Sequence, residues 1–246
     1  MLIGAQMFTV RESTTNLTDF AETLKRIADI GYTTVQVSGT CPYDPAWLDA
    51  ELKKNGLKCV ITHTPPDKMV EDPMQVVKNH NVFDCKYIGI GGFSFEGSSV
   101  AEFKDIFTPV VKTYCENGKY LMYHNHNGEF KKENGIVLMD QIATAFTPEE
   151  MGFTLDTYWV QAGGGNPAEW IEKLSGRVPC IHLKDYLFDA KMAPIGVGNI
   201  NFDRVFAAAA AAGTEYMLVE QDDCYDVDPF ECLKISYDYL KAQGFN

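Results

Sequence analysis

Tyr120-Leu-Met-Tyr-His124-Asn-His126-Asn-Gly128-Glu129-Phe130 begins as an apolar run and turns polar at its centre. Side chains alternate along a β-strand, so a strand here sends His124 and His126 to one face and Asn125 to the other. Gly128 marks where the strand gives way to a loop. Two imidazoles on one face, with Glu129 close behind, suit a metal or proton-transfer site. They suit equally well two histidines hydrogen-bonded at a polar strand end. The surrounding chain decides, and just before this stretch it predicts a helix over 100–117 closed by Gly118.

That alternation recurs along the chain. Residues 3–8 read as a strand, with Gln6, Thr9 and Arg11 at its end. Leu17, Phe20, Leu24, Ile27 and Ile30 then keep helical spacing up to Gly31, a C-cap. Further strands are expected over 33–37, 57–62 (leading to His63), 87–92, 152–156, 178–185 and 216–220. Helices are expected over 45–55, 73–83, 137–146, 167–174, 201–212 and 229–240, the fifth of these rich in alanine for close packing. Eight strand-then-helix units with short connections predict an α/β protein with a parallel sheet, closed as a single (β/α)8 TIM barrel over residues 1–246. An open doubly wound sheet is the alternative, but the first strand lacks the Gly-x-Gly-x-x-Gly turn of that fold.

At 246 residues and 46% hydrophobic, the chain can bury a large core. Its net charge of −13 argues against nucleic acid and anionic membrane as partners, which need a basic footprint. No apolar run approaches the roughly 18 residues of a membrane span. Met1–Met7 reads as a first strand and not as an export signal, so a cytoplasmic location is expected, although a leader removed earlier is compatible with the sequence. The 7 cysteines are scattered without a C-x-x-C pair and read as reduced thiols. Assembly into a homo-oligomer stays open.

In (β/α)8 barrels the chemistry collects at the C-terminal ends of the strands. Those ends hold Gln6, Gln36, His63, His124, His126, Asp156, His182, Lys184, Glu220 and Gln221, which include all but one (His80) of the 5 histidines. Asp156, His182 and Glu220 come from the sixth, seventh and eighth strands. Two carboxylates and an imidazole suit one divalent ion, Mn²⁺, Mg²⁺ or Zn²⁺, with positions left for substrate oxygens. A fourth ligand is expected from the fifth strand, where His124 and Glu129 are both available. Lys184 lies on the same strand face as His182 and suits either a developing oxyanion or a salt bridge to Glu220 or Asp156.

With these residues in view the chain resembles the xylose isomerase-like superfamily of sugar (phosphate) isomerases and epimerases, which also holds hydroxypyruvate isomerase, tagatose epimerases, inosose dehydratase and endonuclease IV. The likeness runs over nearly the whole chain. Its more specific parts are Tyr123–Phe130, Leu155-Asp-Thr-Tyr-Trp159, Ile181-His-Leu-Lys-Asp185, Gly196-Val-Gly-Asn-Ile-Asn-Phe202 and Val219-Glu-Gln-Asp222. The resemblance implies a divalent metal held by Glu, Asp, His and Glu from strands five to eight. Asp156, His182 and Glu220 carry over, but His124 stands where the epimerases have glutamate. Gln36 replaces a glutamate common on the second strand.

The chemistry so implied is proton abstraction beside a carbonyl through an enediolate, on a ketose, inosose or 3-keto-sugar. Glu220 would ligate the metal, His124 or His126 would move the proton, and Lys184 would steady the oxyanion. Gln6, His63 and Trp159 would bind the sugar. The version of strand five found here looks closest to the branch acting on inososes and 3-keto-sugars. Epimerisation and elimination (a lyase or dehydratase outcome) share the enediolate. No arginine accompanies Gly163–Gly165, which favours an unphosphorylated substrate. The rival readings are a metal-free carbohydrate-binding barrel and an endonuclease IV-like DNA repair enzyme. The latter needs a histidine-rich trinuclear zinc site and a basic face, and the charge speaks against it.

Overall fold

A computed structural model describes residues 1–245. Its strands and helices alternate: β1 (Leu2–Gln6), α1 (Leu17–Ile30), β2 (Thr34–Val37), α2 (Pro45–Lys54), β3 (Lys58–His63), α3 (Pro66–Glu71) and α4 (Pro73–Val82). There follow β4 (Tyr87–Ile90), α5 (Val100–Glu116), β5 (Tyr120–His124), α6 (Leu138–Ala145), β6 (Met151–Asp156), α7 (Thr157–Ala162) and α8 (Pro167–Lys173). The chain closes with β7 (Cys180–Leu183), α9 (Phe202–Ala212), β8 (Tyr216–Val219) and α10 (Pro229–Ala242). All eight barrel strands are parallel, each beside its neighbour in sequence, and β1 pairs with β8 to close the ring. Two hairpins, Lys132–Glu133 with Ile136–Val137 and Asp185–Tyr186 with Met192–Ala193, stand outside it.

The closed barrel is therefore the observed fold, and the doubly wound sheet is not. Local capping explains the helix starts: Asn16, Asp44 and Asn166 side chains accept backbone N–H groups at α1, α2 and α8, and Ser99 with Glu102 forms a capping box at α5. Several strands end earlier than expected, β1 and β7 for visible reasons. Gln6 Oε1 accepts the Phe8 N–H at 2.8 Å and turns the chain into a 3₁₀ segment, Met7–Ser13. The Lys184 N–H is taken by Thr157 Oγ1 at 2.9 Å, which ends β7 at Leu183. The short helices α3 and α7 were not expected; both occupy loops at the C-terminal face.

Below the mouth, Ile61, Tyr87, Met122, Cys180 and Leu218 fill the barrel interior, while the larger core lies between strands and helices. Gly152 is required at this depth: a Cβ there would stand 2.6 Å from the Tyr120 ring and 2.9 Å from the Arg177 carbonyl oxygen. At the N-terminal end, buried Arg177 donates to the carbonyls of Met151, Ala143 and Phe146 at 2.7 to 3.2 Å. Arg177→Ala orphans these acceptors and should cost about 3 kcal/mol, read as a lower urea midpoint, with divalent metal binding at the opposite end unchanged.

Candidate metal centre

The C-terminal ends of four consecutive strands deliver His124, Asp156, His182 and Glu220 to one point. Asp156 and His182 are register partners across β6 and β7, and Glu220 directly follows β8. Each offers one ligand atom, and these atoms all lie within 4.8 Å of one another. All four residues are buried, none more than 4% exposed.

Every one of the four has one polar atom anchored and another without a hydrogen-bond partner, the two carboxylate oxygens among these lying within ion-pair distance of Lys184 Nζ. His124 Nδ1 donates to the Gly91 carbonyl at 3.2 Å, and its Nε2 has no partner. Asp156 Oδ1 accepts the Trp159 N–H at 2.9 Å, starting α7, and its Oδ2 is free. His182 Nε2 donates to Gln36 Oε1 at 2.7 Å, and Nδ1 is free. Glu220 Oε1 accepts from Gln6 Nε2 at 2.7 Å, and Oε2 is free. His182 Nδ1 and Glu220 Oε2 are 2.8 Å apart yet out of line for a hydrogen bond. Buried polar atoms without hydrogen bonds are costly, so four facing one another fit a cation they would share. Anchoring the second nitrogen or oxygen is also how proteins orient metal ligands.

The charge agrees. Lys184 is fully buried, with Nζ 3.1 Å from Asp156 Oδ2, 3.0 Å from Glu220 Oε2 and hydrogen-bonded to both Asp222 oxygens at 2.9 Å. Three carboxylates against one ammonium leave a double negative charge, which a divalent ion cancels. Burial raises the cost of charge on Asp156, but Lys184 and the two imidazoles hold its carboxyl well below the usual range. Glu220 is likewise driven down, against burial, by Lys184 and His182. Burial weighs against a charged His182, but Glu220 and Asp156 outweigh it and push the imidazole up to about 9. For His124 burial prevails over its contact with Asp156, and the pKa falls to about 4. Burial and the Glu220 charge push Asp222 up to about 6 despite Lys184.

Above the centre opens a cavity of about 340 Å³, lined among others by Gln6, Phe8, His63, His126, Trp159 and Asp222. His126 stands perpendicular to His124, ring centres 4.7 Å apart, and Lys184 Nζ lies 5.5 Å from the Trp159 ring centre. Gln6, His63, His126, Trp159, Lys184 and Glu220, all expected from sequence as site residues, thus border one space.

Glu129 does not. The expectation that it reaches in as a ligand is corrected by its hydrogen bonds: Oε1 takes the Tyr123 hydroxyl at 2.7 Å and Oε2 the His126 N–H at 2.9 Å. It fixes the turn that carries His126, and His124 supplies the atom from β5. Asn125 points away, as alternation requires, and its Oδ1 accepts the Asp156 N–H at 3.0 Å. Asp222 was missed as a site residue. The period of two that relates Lys184 to His182 also relates Asp222 to Glu220 and would have found it.

A family model described as xylose isomerase-like TIM barrel matches residues 24–242. The chain belongs to that family. Solved structures of similar fold include a sugar phosphate isomerase/epimerase from Parabacteroides distasonis, 22% identical, covering 98% of this chain and 93% of that one with a TM-score of 0.84. A D-allulose 3-epimerase from Methylomonas sp. is 13% identical over 99% and 98% of the two chains, TM-score 0.76. A probable 3-DHS dehydratase from Bacillus anthracis is 15% identical over 98% and 99%, TM-score 0.72. A comparison with curated proteins finds no match. At these identities the solved structures show the shared barrel.

Because the metal-free protein keeps a proton on His182 below about pH 9 and a cation needs Nδ1 bare, binding should expel that proton. Calorimetry with Mn²⁺ at pH 7 in buffers of different ionisation enthalpy should show about one proton released per ion, with affinity weakening about tenfold per pH unit below 9. Release of none would contradict this electrostatic picture.

Proposed function

We propose that this protein is a divalent-metal-dependent sugar isomerase or epimerase that moves a proton beside the carbonyl of a ketose, inosose or 3-keto-sugar. The observation that supports the reading best is the group of four buried side chains, each with one free ligand atom, beneath a cavity with an aromatic wall. His124, Asp156, His182 and Glu220 would hold the ion, Mn²⁺, Mg²⁺ or Zn²⁺, which when bound supplies a Lewis acid to polarise the substrate carbonyl.

The chain's own residues do the rest. With His124 Nε2 turned to the ion, His126 is the imidazole left at the cavity wall to take and return the proton. Lys184, held cationic by three carboxylates, faces the negative charge of the enediolate. Gln6 steadies Glu220, and His63 and Trp159 wall the sugar ring, whose C–H faces suit aromatic surfaces. Elimination through the same enediolate is the second reading, favoured by one feature: His63 has a buried Nε2 without a protein partner, available to a departing hydroxyl.

The proposal takes the 246 residues as one catalytic domain acting in the cytoplasm on a small sugar, with a homo-oligomer compatible with it. The 7 cysteines are all free thiols. No helix among the described residues is long and apolar enough to cross a membrane. DNA repair is disfavoured by the net charge of −13 and by a single four-residue ligand group among the described residues.

Metal analysis together with exchange of solvent deuterium into ketoses, inososes and 3-keto-glycosides tests the reading. Label should wash in with metal present and stop on chelation. Asp156→Asn and Glu220→Gln should lose both metal and exchange; full retention of both by both variants would refute the site. His126→Gln should keep its metal and slow exchange by about 10²-fold or more.

A further inference from the structure

The ligand group is short of oxygen. His124 Nε2 and His182 Nδ1 offer two nitrogens, and Asp156 Oδ2 and Glu220 Oε2 offer two oxygens. Each carboxylate has its other oxygen occupied, by the Trp159 N–H at 2.9 Å and by Gln6 Nε2 at 2.7 Å, so each meets an ion with one atom. The flanking acidic side chains are committed too. Glu129 holds the Tyr123 hydroxyl and the His126 N–H, and both Asp222 oxygens hold Lys184 Nζ. Among the described residues no third carboxylate joins the group.

Lys184 weakens the two oxygens that remain. Its Nζ stands 3.1 Å from Asp156 Oδ2 and 3.0 Å from Glu220 Oε2, the same atoms that would face the ion. A hard ion such as Mg²⁺ draws its affinity from oxygen charge, which an ammonium here already shares. The nitrogens carry no such burden. The Gly91 carbonyl holds His124 Nδ1 at 3.2 Å and Gln36 Oε1 holds His182 Nε2 at 2.7 Å, which leaves the second nitrogen of each ring to the group.

Imidazole nitrogen suits Zn²⁺ and its neighbours late in the transition series, whereas carboxylate oxygen suits Mg²⁺, Ca²⁺ and Mn²⁺. Two nitrogens beside two half-neutralised oxygens tip that balance. We propose that this protein selects Zn²⁺ over Mn²⁺ and Mg²⁺, and that His124, as the second nitrogen, sets the preference. This rests on the metal centre of the function proposed above and deepens it by naming the ion.

The test strips the full chain of metal and titrates it with each ion in turn, using competing chelators to buffer the free concentration. Zn²⁺ should bind at least about 10²-fold tighter than Mn²⁺, and Mg²⁺ should not bind at about 1 mM. X-ray absorption at the zinc edge should show scattering from two imidazole rings. His124→Gln trades a neutral nitrogen donor for a neutral oxygen, and should bring the ratio of Zn²⁺ to Mn²⁺ affinity below about tenfold with one ring left in the spectrum. His124→Glu supplies an anionic oxygen and should narrow the ratio likewise while still holding metal, which covers the case of a glutamine variant that fails to fold. Equal Zn²⁺ and Mn²⁺ affinities in the parent protein, or a ratio unchanged in both variants, overturn the inference and leave the sugar reading standing. Zinc-loaded protein that exchanges no deuterium into any of the sugars fells the sugar reading and leaves the ion preference intact. Failure to bind any of the three ions overturns both.

Discussion

Four buried side chains that each commit one polar atom to a neighbour and leave the other without a hydrogen bond impose a constraint that the rest of the barrel mouth serves. A bare buried nitrogen or oxygen is tolerated only where something charged completes it. The neighbours doing the committing come from every side: Gly91 after β4, Trp159 at the start of α7, Gln36 on β2 and Gln6 on β1. The glutamines at Gln6 and Gln36 thereby make sense. An amide can pin a carboxylate or an imidazole without adding charge, where a glutamate would add a further negative group.

Lys184 balances the remainder. It sits at no exposed edge, so its ammonium is sustained only by Asp156, Glu220 and Asp222, and they in turn are kept ionised by it. Such mutual dependence leaves little tolerance for removing one member alone, since each deletion strands an opposite charge in a dry place. Further out, Asp185 performs a purely architectural task. Its two oxygens accept the N–H groups of Tyr186, Gly196, Gly198 and Ile200, which folds the segment after β7 back over the barrel end.

Much of this was legible beforehand. The eight units follow from hydrophobic spacing and glycine stops, and α1 and the start of α5 fall where the pattern puts them. His124, Asp156, His182 and Glu220 are visible because strand ends concentrate polar groups that alternation sends inward. Glu129 was misread because its loop turns it back onto Tyr123, and no periodicity governs a loop. The pairing of Ile181–Asp185 with Gly196–Phe202 was noticed only as a likeness; the carboxylate-to-amide contacts that join them are long-range and leave no spacing rule. Helices α3 and α7 are six residues each, too short for a helical repeat to declare itself.

Asp156 spends one oxygen on the first turn of α7 and turns the other toward the ligand group. Chamber wall and ion are for that reason parts of a single mechanical unit. Trading that carboxylate for a side chain that cannot hold the Trp159 N–H would disturb the ligand group and the aromatic wall together, because one buried residue shapes both.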